Sequence, residues 1–211
     1  MENAKEVVRS DRPQNASAVH LQIIVKDKDG KQIEERYHED DTYLDQWGMI
    51  IASLFKNCGS GTASGSGTFS CKNSAGTAIT LGGAASSSNS PFFATALEAG
   101  NGSVQVAIGT GTTTAAHTDY GLQTPISGAT AVPTSITESN PSGNILYVSF
   151  SVTITLGSAY TVSEAVVFLV VYNSSGASAG PIAITHDVFT GVAVPANGSI
   201  TLNYTFQFNT S

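Results

Sequence analysis

Basic charge is what this chain has least of. Nine Lys and Arg stand against 16 Asp and Glu, a formal net charge of −7 with a pI near 4.9. A nucleic-acid groove needs a clustered basic face to displace counterions, so nucleic acid is not an expected partner. Long apolar runs are also missing. The longest, Ala165 to Val171, falls far short of the roughly 20 residues that cross a bilayer. The opening MENAKEVVRSDRPQ has no hydrophobic segment that a signal peptidase would use. No membrane span is expected, and the chain reads as made in the cytoplasm. Cysteine is limited to Cys58 and Cys71, with no Cys-x-x-Cys and no His-x-x-x-His in the chain.

What is present is distributed unevenly. Residues 1–57 hold 8 of the 9 basic and 11 of the 16 acidic side chains. The boundary near Asn57 is followed by CGSGTASGSGTFSC, which reads as a Gly/Ser-rich linker flanked by the two cysteines. The 211 residues suffice for one sizeable domain with a smaller appendage. The expected division is an N-terminal arm at 1–18, a hairpin plus helix at 19–57, a Gly/Ser-rich region with short strands at 58–103, and a β core at 104–211.

In the first part, Val19, Leu21, Ile23 and Val25 alternate with polar residues, as in a strand with one buried face. Asp29-Gly30 supplies a turn, so QIEERYH returns as the second strand of a hairpin. Asp40, Asp41 and Thr42 offer capping oxygens, and Tyr43, Trp47, Ile50, Ile51, Leu54 and Phe55 share one side, which predicts a helix from Thr42 to Lys56.

Beyond Cys58 the pattern is β. In ILYVSFSVTITL the residues Leu146, Val148, Phe150, Val152, Ile154 and Leu156 share a face opposite serines and threonines. VSEAVVFLVVY is apolar on both faces, as a central covered strand should be. ITLNYTFQF alternates again after the PANGS turn. Strands separated by Gly/Ser/Asn/Pro turns predict a mainly β fold, an antiparallel β-sandwich or jelly-roll-like domain preceded by the hairpin and helix.

The chemistry-like stretch is IGTGTTTAAHTDYGLQTPI, from Ile108 to Ile126. No Lys follows Gly111, no third glycine completes a dinucleotide fingerprint, and no helix opens there, so a connection between strands is the expected reading. His117 with Asp119, and His186 with Asp187, have the residue types of a metal site or an acid/base pair, but neither spacing is specific. These histidines are expected in surface loops, with no catalytic, cofactor or metal site.

VQVAIGTGTTTAAHTDYGLQTPI, VSEAVVFLVVY and HDVFTGVAVPANGSITLNYTFQF together resemble a pattern in minor structural proteins of tailed phages and of viruses of archaea. In that pattern a strand leads to a Gly-Thr-Gly segment and an Asp-x-x-Leu turn. A central strand carrying a Glu follows, and a Pro/Gly turn opens the closing strand. The match spans roughly Val104 to Phe208, and KDKDGKQIEERYHEDDTYLDQWGMIIASLF resembles the opening of such proteins. Where similar sequences often place an Arg before the closing VF strand, this chain has His186 and Asp187. The resemblance implies a virion component (tail, fibre or capsid exterior) without a catalytic role.

A charge-poor Ser/Thr-rich sheet repels copies of itself little, so the expected partners are further copies of this chain and other virion proteins, with the charged arm reaching a neighbour. The rival reading is an adhesin or carbohydrate-binding sandwich, with Tyr120, Tyr172 or Phe189 as aromatic platforms for a host surface glycan. Asn15, Asn101, Asn173, Asn197, Asn203 and Asn209 each begin an Asn-x-Ser/Thr sequon, a glycosylation candidate where exposed. Cys58 and Cys71 are expected to form a disulfide in the assembled protein. Two reduced thiols are the alternative.

Overall fold

The computed structural model describes residues 18–41, 43–45, 47–48, 69–81, 104–140, 145–172 and 178–209. The chain is mainly β, with the described strands in two larger antiparallel sheets and one small hairpin. The first sheet has the order β2 (Gln32–Asp41), β1 (Ala18–Lys26), β11 (Ser199–Asn209), β8 (Ile145–Thr155), β7 (Ile136–Ser139). The second has the order β10 (Ser178–Val194), β9 (Tyr160–Tyr172), β5 (Val104–Gly109), β6 (Pro125–Ala131). β3 (Phe69–Lys72) and β4 (Ala78–Leu81) make the small hairpin.

Period-two patterning explains most of this. Val19, Leu21, Ile23 and Val25 of β1 are buried, as are Phe150, Val152 and Ile154 of β8 and Ile200, Leu202, Tyr204 and Phe206 of β11. They join Val104, Val106 and Ile108 of β5 and Ala165, Val167 and Leu169 of β9 in one apolar cluster between the two sheets. Each such aliphatic side chain contributes about 1.5–3 kcal/mol on burial. On the other face of the first sheet, hydroxyls pair across strands, Ser149 with Thr205 and Thr153 with Thr201.

The β1–β2 hairpin forms as its turn residues direct. Gly30 takes φ +79°, and one carboxylate oxygen of Asp27 accepts from the amides of Asp29 and Lys31. The hairpin does not stand apart from the later strands. β1 pairs with β11 from Ala18↔Gln207 to Lys26↔Ser199, so the change in charge density near Asn57 is not a break in the sheet.

The start of the expected helix needs correction. β2 runs through Asp41, so Asp40 and Asp41 are strand residues rather than caps. Tyr43 then bridges to Thr185, and the Leu44 amide donates to the Ile184 carbonyl at 3.0 Å. The edge of β10 takes these backbone groups, and only Asp45, Trp47 and Gly48 are helical among the described residues of this stretch. Tyr43 and Trp47 do share a side, with rings stacked at 5.9 Å, and both meet Phe208. The rest of the predicted helix lies outside the described residues. β10 is covered at two further points, where the Ser74 amide donates to Pro181 O and the Arg36 guanidinium to Thr190 O. An open edge of that length would otherwise be a template for pairing with other chains.

Candidate functional site

β9 is buried on both faces from Val162 to Leu169, and Glu164, Val166 and Phe168 face outward there. Val166 and Phe168 pack with Ala107, Ala183, Leu44 and Leu122 in a second, smaller apolar cluster. Leu122 belongs to the connection between β5 and β6, which therefore lies across the outer face of the second sheet.

Glu164 fixes that connection. Its Oε1 accepts from the amides of Gly111 at 2.8 Å and Thr124 at 2.7 Å. Its Oε2 accepts from the Gln123 amide at 2.8 Å and lies 3.0 Å from His186 Nε2. The residue is 0% exposed. Burial alone would raise its pKa, but the backbone donors of Gln123, Thr124 and Gly111, with His186, outweigh that and hold it below the usual carboxylate value. Ser163 Oγ donates to the Gly111 carbonyl at 2.8 Å, so both polar groups of that residue are held from β9.

The two glycines of Gly109-Thr110-Gly111 follow from this approach. A Cβ on Gly111 would stand 2.7 Å from the Glu164 carboxyl carbon, and one on Gly109 would overlap Glu164 Oε1 and sit 2.5 Å from the Thr124 carbonyl oxygen. Glycine is there to admit a carboxylate of the same chain. The loop is closed further by Thr110 N to Thr124 O at 2.9 Å and by a two-way bond between the Thr113 backbone and the Gln123 amide.

The structure sorts the histidines and aspartates differently from their sequence neighbours. His186, expected on a surface loop, is in β10 with a ring 0% exposed. Its Nδ1 is 2.7 Å from Asp119 Oδ2, which also accepts from the Ala116 amide. Asp187, one position on, faces the other way into the core and accepts from Tyr204 OH at 2.5 Å, a bond from the second sheet to the first. Adjacent strand residues point to opposite faces, so a His-Asp dipeptide in a strand cannot act as a pair. His117 is on the surface as expected, 67% exposed, with Nδ1 2.8 Å from Asp45 Oδ2.

Glu164 was visible in the sequence only as part of the resemblance. The signal that marks it physically is one carboxylate in a 13-residue strand that is otherwise almost wholly apolar. Such a group must find donors when buried. The arrangement holds a loop in place. Each oxygen of Glu164 has two nitrogens of the same chain against it, and among the described residues no cluster of three or more His, Cys, Asp or Glu is arranged for a metal ion.

Of the other candidates, Phe189 is a buried strand residue, edge-on to His38 at 6.3 Å, because β10 carries it inward. It is therefore not a platform on a loop. Tyr120 is 40% exposed with Lys72 Nζ 5.2 Å from its ring centroid. The side chain of Tyr172 lies outside the described residues. Asn197 occupies an exposed turn at φ +57°, whereas Asn203 lies in β11 with its Nδ2 donating to Gln22 Oε1 at 2.8 Å. Asn209 ends β11, and Asn15, Asn101 and Asn173 lie outside the described residues. Cys71 is buried in β3, where desolvation would push a thiol up to about 11, and Cys58 lies outside the described residues.

Comparison with known protein families, with curated proteins and with solved structures finds no match to this chain. Among the described residues, no helix is long and apolar enough to cross a membrane.

Proposed function

We propose that this chain is a structural subunit of a viral particle, in the tail, a fibre or the capsid exterior, that works by assembling with copies of itself and with other virion proteins. One observation carries the reading. Three of the four elements on which the resemblance rests, Gly109-Thr110-Gly111, Asp119-x-x-Leu122 and Glu164, meet in a single unit. Gly111 bonds Glu164, Asp119 reaches Glu164 through His186, and Leu122 packs beside them. A pattern whose parts bind one another is a scaffold pattern, which fits a packing role. The two sheets read as a sandwich of jelly-roll-like kind, with the arm at 1–18 reaching a neighbouring subunit. The Ser/Thr pairs on the first sheet offer a face with little charge to repel a copy.

Electron microscopy and light scattering of the purified protein test this. Rings, tubes or a defined oligomer are expected, and deletion of residues 1–18 should lower the mass while leaving the β circular-dichroism signal intact. A monomer that binds a glycan array would replace this reading with the carbohydrate-binding one.

A further inference from the structure

His186 ties the tip of the 110–124 loop to the sheet beneath it. Two titratable groups face it among the described residues: Asp119 from the loop at 2.7 Å and Glu164 from β9 at 3.0 Å. On its own strand Asp187 faces away, toward Tyr204, and on the 43–48 segment Asp45 faces His117 at the loop's rim. The backbone adds one further link there, from the Asp45 amide to the His117 carbonyl at 2.9 Å.

Ionised carboxylates only accept hydrogen bonds, and a neutral imidazole has one N–H and one lone pair. With both carboxylates ionised, both contacts of His186 are hydrogen bonds only while the ring carries two protons. Remove one, and a nitrogen lone pair of a fully buried ring faces an oxygen lone pair. The two carboxylates are unequal in how they would bear this. Glu164 is 0% exposed, whereas the side chain of Asp119 is 27% exposed and can turn to solvent. The remaining proton therefore stays on Nε2, and Asp119 is the partner released.

We propose that His186 is a proton-dependent latch for the outer part of this loop, closed while the ring donates to both Asp119 and Glu164 and opened at the Ala116–Asp119 turn when Nδ1 loses its proton. The segment from Gln123 to Thr124, and Gly111, stay bound to Glu164 in either state. What changes is the presentation of the outward residues between them, including Thr118 and Tyr120, both exposed when the latch is closed. The depressed pKa of Glu164 agrees with its remaining an ionised acceptor throughout. The latch does not depend on the virion reading, since it concerns one loop of one subunit.

The test is NMR of the full chain across a pH series, following the ring nitrogens of His186 and amide-exchange protection factors together. As Nδ1 deprotonates, protection at Ala116, Asp119 and Asp45 should fall about tenfold, the scale of one charge-assisted hydrogen bond, while Gly111, Gln123 and Thr124 change less than about twofold. In His186→Gln nothing at this position titrates, so the pH dependence at the turn should vanish. In His117→Gln, which removes the histidine of the loop itself, it should persist. Turn protection that stays constant while the ring loses its proton overturns the proposal. So does a pH profile that survives His186→Gln or disappears in His117→Gln. Should His186→Gln fail to fold, the wild-type ring and amide data decide alone. An assembly that proves to be something other than a virus part leaves this result untouched.

Discussion

The carboxylate of Glu164 accepts the backbone amide of Gly111 at 2.8 Å across 53 residues of chain, and the glycine has no side chain because that carboxylate occupies the space. This connection between strands is built around an acid of its own protein. Three of the five acidic residues beyond position 57, Asp119, Glu164 and Asp187, contact His186 or lie next to it in sequence.

Replacing Glu164 by Gln keeps the shape but sets an amide group among N–H donors. The expected cost is about 3 kcal/mol, since charge-assisted bonds are lost in a buried site. Urea denaturation at neutral pH measures it, and a loss under about 0.5 kcal/mol would show that the loop does not depend on this carboxylate.

The same group sets an acid limit on stability. Its folded-state pKa is lowered from 4.5, so the stabilisation is present above the unfolded value and is lost as pH falls through the folded one. The stability difference between wild type and Glu164→Gln should be constant just above pH 4.5 and shrink below it. A difference that grows on acidification would contradict this sign.

Gly111→Ala tests the close approach. Gly111 does not have a left-handed φ, so alanine meets no backbone penalty there, and the cost comes from the Glu164 carboxyl group at 2.7 Å and the Gln123 Cβ at 2.8 Å. Overpacking of this kind costs about 1–3 kcal/mol. Combined with Glu164→Ala the cost should fall to the part that the Gln123 Cβ imposes, a coupling that a double-mutant cycle reads directly. Additive effects would mean that the glycine answers to something else.

Tyr204→Phe removes the donor that reaches Asp187 from the opposite sheet. Both side chains are fully buried, so the carboxylate loses a partner it cannot replace with water, at about 1–3 kcal/mol. Thermal unfolding that matches wild type within error would count against a bond between the sheets at this point.

For the cysteines the expected outcome is a Cys58–Cys71 bond in assembled material. Closing a loop of this size stabilises by about 3 kcal/mol in the chain-entropy model. Alkylation of unfolded, unreduced protein followed by intact mass reads it, and two labels per chain would show both thiols to be reduced.

Local pattern was enough for the strands. Val19 to Val25, Phe150 to Ile154 and Ile200 to Phe206 alternate because one face of each is buried, and that need is written at every second residue. The doubly apolar run of β9 likewise declared a strand covered on both sides. Tertiary structure alone decided what those strands neighbour. The pairing of β1 with β11, the diversion of Tyr43 and Leu44 to the edge of β10, and the placing of His186 beneath Asp119 depend on contacts between residues far apart in the chain. Nothing in a local window carries that information. The glycines of the 109–111 segment show why: their residue type was plain in the sequence, but its cause was a carboxylate on a strand more than fifty residues away.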